Sequence, residues 1–220
     1  MAKKILFLHG YAQSASMYKV KTRALRILLE NAGYETIYLQ GPVHIPCEID
    51  CDGDESIDLY AWCPRIKTDE DVNISVEDFK ERAREHHGDV EGIIAFSQGA
   101  CLSGIIAAQY KEYLPNLKWI IFCSGFGLNP REYGYHYKNE IDVPSLHVLG
   151  ELDTVINSES SMRLYGACNE QNRTLWTHHG GHFFPHNNSF LHKVTEWIQS
   201  ARSQAEDTND LAAVPTLKLH

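Results

Sequence analysis

Clustered lysine and arginine are missing from this chain: its 220 residues carry 29 acidic against 20 basic side chains, a formal net charge of −9. Neutralising phosphates takes grouped cations, so a nucleic-acid partner is excluded. Long hydrophobic runs are missing too. No segment approaches the roughly 20 consecutive apolar residues of a membrane span. After Met1-Ala2-Lys3-Lys4 only five uncharged residues, Ile5 to His9, precede Gly10, too short a run for the core of a signal peptide. The six cysteines (47, 51, 63, 101, 123 and 168) include no Cys-x-x-Cys pair. These absences predict a cytoplasmic protein with reduced thiols. Cys101 and Cys123 fall within apolar stretches, where a thiol serves as a small core side chain.

What is present is ordinary for a globular chain, with 43% apolar and 22% charged residues and a length that suits one domain. Apolar runs alternate with helical patterns. Lys4 to Leu8, Glu35 to Leu39, Val90 to Phe96, Leu117 to Cys123, Ser145 to Leu149 and the short Thr174 to Trp176 read as strands. Helical spacing runs through Met17 to Ala32, closed by Gly33 as C-cap, and through Gly99 to Tyr110, Ser158 to Cys168 and Ser189 to Ser200. Ser75-Val76-Glu77-Asp78 has the capping-box form and predicts a helix from there to about His87. Continuous apolar strands separated by helices imply a parallel sheet covered on both faces, the α/β class. The pattern predicts a single domain over 1–200. Residues 41–72 form an irregular insertion near the pocket, and 201–220 a mobile polar tail.

Chemistry gathers at three places. Ala95-Phe96-Ser97-Gln98-Gly99 joins an apolar strand to a helix. A nucleophile elbow needs small residues two before and two after its serine, because the turn is tight and strained. Asp153 follows the strand that ends at Leu149; an acid there can reach the same sheet edge, although turn and capping aspartates are common. His178-His179-Gly180-Gly181-His182 follows the last short strand, and its glycines let a loop swing an imidazole over the serine. Chemistry alone does not say which histidine acts, since 178, 179, 182 and 186 lie close together. Serine, then acid, then histidine is the chain order of α/β-hydrolases, each after a strand. An oxyanion hole would then take the backbone N–H of Gln98 and a second N–H from the loop after the first strand, at Tyr11. Losing one such donor costs about 3–4 kcal/mol of transition-state stabilisation.

The chain resembles the family of small serine hydrolases first described in fungi, which includes the ovarian-cancer-associated esterases of animals. The resemblance runs from about Ile5 to Gln199. It rests on Leu8-His9-Gly10-Tyr11-Ala12-Gln13, Gly41-Pro42, Tyr60-Ala61-Trp62, Ala95 to Ala100, Cys123-Ser124-Gly125-Phe126, Pro144 to Gly150, and His179-Gly180-Gly181-His182-Phe183-Phe184-Pro185. The chain departs from the family where Ala95 replaces a Gly and Gly88-Asp89 a Gly-Pro. The resemblance implies an α/β-hydrolase fold with Ser97 as nucleophile, His182 as base and Asp153 as its orienting acid. It also implies acyl transfer from a small-molecule ester or thioester, without metal or organic cofactor.

Other patterns in the sequence point elsewhere. The acidic run Glu48 to Glu55 invites a calcium loop starting at Asp50, but Glu55 and Ala61 stand where that loop needs Gly and Glu. Four histidines within nine residues invite a zinc site, and a binding protein on a hydrolase scaffold is a third class. Tyr60 and Trp62 are candidates either for the acyl pocket or for the core.

Overall fold

The computed structural model describes residues 3–46, 58–63, 68–109, 111–129 and 139–212. Six parallel strands form one sheet in the order β2-β1-β5-β6-β7-β8, from β1 (Lys3–Leu8), β2 (Tyr34–Leu39), β5 (Val90–Phe96), β6 (Trp119–Cys123), β7 (Ser145–Gly150) and β8 (Arg173–His178). Strands β3 (Val43–Ile45) and β4 (Leu59–Ala61) pair antiparallel beside it. The helices are α1 (Ala15–Lys21), α2 (Arg23–Asn31), α3 (Asp69–Ala83), α4 (Gln98–Gln109), α5 (Ser158–Gly166) and α6 (Asn188–Ala212).

Period-two geometry divides each central strand between two cores. Leu6 and Leu8 of β1, Ile93 and Ala95 of β5, and Ile120 and Phe122 of β6 face one layer with α3, α4 and Leu164 of α5. Ile5 and Phe7, Ile94 and Phe96, and Trp119, Ile121 and Cys123 face the other, with Tyr18, Leu25 and Leu29 of the first two helices and Leu191, Val194 and Ile198 of α6. Both faces are therefore dry, which is why these strands read as unbroken apolar runs. Strand order turns on β1 and β5, whose chains leave the same edge in succession, and such a reversal in an open parallel sheet opens a crevice at the strands' C-terminal ends.

Several elements differ from the sequence-based expectation. The single helix predicted from Met17 breaks at Thr22. Its hydroxyl bonds the Tyr18 carbonyl one turn back at 2.7 Å and lies 2.7 Å from the Tyr38 hydroxyl. The helix expected to open at Ser75 begins at Asp69 instead. Thr68 caps it, with Asp71 closing the reciprocal box, and Ser75 lies inside the helix, donating its hydroxyl to the carbonyls of Asp71 and Trp62. The last helix does not stop near Ser200 but continues to Ala212. Ala201 is buried against the core and Arg202 pairs with Glu91, which carries the helix past the end of its apolar pattern. Gly33 does end α2, at φ +89°. The acidic run 48–55, Cys47, Cys51 and the tail beyond 212 lie outside the described residues; the other four cysteines are buried thiols outside any disulfide.

Candidate active site

β5 is buried along its whole length and delivers Ser97 to the C-terminal edge of the sheet. Ser97 has φ +51°, a left-handed conformation that costs a residue with a Cβ about 1–3 kcal/mol. Backbone bonds hold it there: its N–H donates to the Cys123 carbonyl at 2.9 Å, and its carbonyl accepts from Cys101 N–H at 3.0 Å in the first turn of α4. The need for glycine at 99 is steric. A Cβ there would stand 2.6 Å from the His9 carbonyl oxygen and 2.7 Å from that of Leu8. Ala95, by contrast, fits its methyl into the core.

Asp153 comes from the turn after β7 and meets His182, which reaches the serine from the loop after β8. His182 Nε2 lies 3.0 Å from Ser97 Oγ, and Nδ1 lies 2.7 Å from Asp153 Oδ2. Asp153 Oδ1 accepts the N–H groups of Val155 and Ile156, each at 2.9 Å. Burial alone would raise this carboxyl's pKa; the bonds from Ile156, His182 and Val155 outweigh it and hold the group below its ordinary value. An ionised Asp153 fixes the Nδ1–H tautomer, which leaves Nε2 free to accept the serine proton. The arrangement can therefore generate a nucleophilic oxygen and return its proton to a leaving group.

The other three histidines have different surroundings. His178 takes the Gly180 N–H on Nδ1 and packs on the Phe183 ring, its pKa lowered by burial. His179 is exposed and lies 2.7 Å from Glu151. His186 lines a groove beside the triad. Among the described residues no three His, Cys, Asp or Glu side chains converge as metal ligands do.

The loop after β1 is pressed against the elbow: a Cβ on Gly10 would lie 3.2 Å from Ser97 Cβ. Tyr11 is half exposed, and Gln98 opens α4. The loop is held by residues that the sequence analysis did not single out for this role. His9 is buried and lies with Nδ1 2.8 Å from the Gly10 carbonyl, while Nε2 accepts the Gly41 N–H at 2.9 Å; burial keeps its pKa below the ordinary value. Gln13 Oε1 accepts the Gly10 N–H. The Gln98 carboxamide accepts from Trp62 N–H at 2.8 Å and donates to the Cys63 carbonyl at 2.6 Å. Trp62 in turn donates its indole N–H to the His9 carbonyl at 2.9 Å. Trp62 is thus a buried clamp, and Tyr60 exchanges backbone bonds with Gln13. Neither lines the 430 Å³ groove beside the triad, whose walls include Tyr18, Phe96, His182, Phe183 and Phe184. Of the two places expected for Trp62, the core is the one it occupies.

A parallel sheet with helices on both faces and a serine on a strand-to-helix elbow define an α/β-hydrolase. The crystal structure of the Bacillus cereus carboxylesterase shares this fold, with a TM-score of 0.62 at 15% identity over 91% of this chain and 89% of that one. The model of the Serine hydrolase (FSH1) family matches residues 1–194, and the chain belongs to that family. It is 34% identical to Family of serine hydrolases 2 of Saccharomyces cerevisiae, over 90% of this chain and 99% of the relative. It is 31% identical to Esterase OVCA2 of Danio rerio, over 83% and 90%.

Proposed function

We propose that this chain hydrolyses carboxylic esters of acyl chains through an acyl-enzyme. Ser97 is the nucleophile, His182 the general base and acid, and Asp153 the group that orients and charge-balances the imidazole. The observation that carries this reading is the continuous contact from Asp153 through His182 to Ser97 Oγ, at 2.7 and 3.0 Å. Ser97 Oγ bonds to the acyl carbon while its proton passes to His182 Nε2. The acyl-to-oxygen bond then breaks, and the departing alkoxide takes that proton. Water, deprotonated by the same imidazole, releases the acid and restores the serine. The N–H groups of Tyr11 and Gln98 receive the charge that develops on the carbonyl oxygen. Esterase OVCA2 supports oxygen esters as the substrate class; acyl thioesters suit the same chemistry. The four buried thiols suit a reducing compartment such as the cytoplasm.

A ladder of p-nitrophenyl esters and acyl thioesters from short to long chains tests this, with Ser97→Ala alongside. Turnover at one or more chain lengths is expected, with labelling of Ser97 by a fluorophosphonate. Ser97→Ala is expected to lose both while keeping its melting temperature. Activity near wild type in that variant would remove Ser97 from the mechanism. Silence of the wild type on every ester, without labelling, would favour a binding protein.

A further inference from the structure

The groove beside the triad has a chemistry of its own. Buried rings of Phe96, Tyr18 and Phe184 form part of its wall, the exposed side chains of Val20 and Phe183 another, and His182 itself belongs to it. It also contains Lys21, from the last residue of α1, and His186. No carboxylate lines it among the described residues, and none of them pairs with Lys21. In a chain with nine more acids than bases, that is a local reversal of sign at the mouth of the site. Asp153, the nearest acid to the imidazole, is already engaged by His182, Val155 and Ile156. The buried Tyr18 hydroxyl, also on the groove wall, has no hydrogen-bond partner among the described residues.

Position decides which half of a substrate such a groove holds. In the hydrolase reading, on which this inference rests, His182 Nε2 must hand a proton to the leaving atom, so that atom comes within about 3 Å of the imidazole. A groove with His182 in its wall therefore continues from the leaving atom. We propose that this groove holds the alcohol or thiol portion of the substrate, and that Lys21 recognises a negative charge on it. The substrate class is then an acyl ester or thioester whose leaving group carries a carboxylate or a phosphate. Aromatic walls take the apolar linker, and the ammonium takes the charge at its end.

Three thioesters with the same butanoyl group separate the possibilities: those of N-acetylcysteamine (neutral), 3-mercaptopropionate (carboxylate) and coenzyme A (phosphate). They are compared in the wild type, Lys21→Met and Lys19→Met, with p-nitrophenyl butanoate and Ser97→Ala as controls for hydrolysis itself. Lys19 is on the same helix but lies 6.0 Å over the Tyr38 ring, outside the groove. The wild type is expected to favour at least one anionic thioester over the neutral one by about tenfold in kcat/KM. Which of the two it favours identifies the anion. The preference is expected to shrink in 0.5 M salt, where the screening length falls to roughly 4 Å. Lys21→Met is expected to bring the ratio near one through a raised KM, and Lys19→Met to leave it in place. Ser97-dependent turnover without any anionic preference, or a preference that survives Lys21→Met, overturns this inference and leaves the hydrolase reading standing. Absence of Ser97-dependent turnover on every ester overturns both.

Discussion

Strand β5 has a buried polar group at each end, and the two ends behave differently. At its start Glu91 is 5% exposed, as buried as Asp153, which is 7% exposed at the opposite edge of the sheet. Glu91 is surrounded by cations: Lys3 at 3.1 Å, Arg202 at 3.4 Å and Lys118 at 4.0 Å, with the Tyr34 hydroxyl donating at 2.9 Å. Its partners are ammonium, guanidinium and phenol groups, none of them an imidazole. Asp153 faces the imidazole of His182, whose other nitrogen lies 3.0 Å from Ser97 Oγ, the contact on which the proposed proton transfer rests. Backbone strain separates the edges as well. The described non-glycine residues with positive φ are Ala12, Ser97 and Ser124, each in the turn after β1, β5 or β6, at the edge that holds the triad. Burial of a carboxylate therefore does not distinguish a working edge from a bracing one. The kind of partner it has and the strain around it do.

The strongest way to break this contrast is Asp153→Asn. The carboxamide oxygen can still accept from Val155 and Ile156, so the turn is retained, but the imidazole loses the charge that fixes its tautomer. kcat is expected to fall about 10⁴-fold, some 5.5 kcal/mol, with little change in melting temperature. A loss below tenfold in single-turnover assays would make Asp153 a turn residue only. The complementary variant is Glu91→Ala. Removing the carboxylate leaves Lys3, Lys118 and Arg202 facing one another and takes away the ion pair between Arg202 of α6 and β5. A loss of about 3 kcal/mol in urea unfolding is expected, with kcat of the folded enzyme within about twofold of wild type. A large fall in kcat at unchanged stability would erase the division between the edges.

The pH dependence of stability sharpens the contrast from between the two edges. His147 of β7 is 1% exposed, packed against the rings of Phe122 and Tyr165 with its Nε2 unbonded among the described residues, and burial lowers its pKa to about 3. The unfolded chain binds this proton near pH 6.5 and the folded one does not, so stability falls as pH drops from about 6.5 towards 3. At pH 5 the loss reaches about 2 kcal/mol. Asp153 works in another window: its lowered pKa contributes stability that is present above about 3.9 and disappears only as pH falls through its folded value. Unfolding free energies at pH 7 and pH 5 are therefore expected to differ by about 2 kcal/mol less in His147→Leu than in wild type. An equal difference would place the acid sensitivity elsewhere.

Much of this architecture can be read from sequence, for physical reasons. Strands buried on both faces are apolar along most of their length, so β1, β5 and β6 announce themselves within two residues of their ends. Each of Ser97, Asp153 and His182 follows a strand of the sheet, and parallel strands deliver their C-terminal ends to one edge. The start of α3 was legible but outweighed: Thr68 and Asp71 carry the cap, yet Ser75 to Asp78 has the same form seven residues on. The clamp around His9 was not legible. Trp62 lies 53 residues from His9 and 36 from Gln98, and only the folded chain brings their bonding groups together.

That clamp provides the smallest and most specific effect. Trp62→Phe keeps an aromatic ring in the core but removes the donor to the His9 carbonyl. A buried carbonyl left unpaired costs about 1–3 kcal/mol, so some stability is expected to be lost. The loop that this bond holds also carries Tyr11, the proposed oxyanion donor next to the Gln98 N–H. If the indole bond fixes where that N–H points, kcat is expected to fall about tenfold with KM unchanged, and fluorophosphonate labelling of Ser97 to slow in parallel. A displaced donor weakens only the charged transition state, whereas a disturbed groove would raise KM. A lower melting temperature with kcat unaltered would make Trp62 a core residue that happens to lie beneath the site, and the bracing role that Glu91 has at one edge would then extend to both.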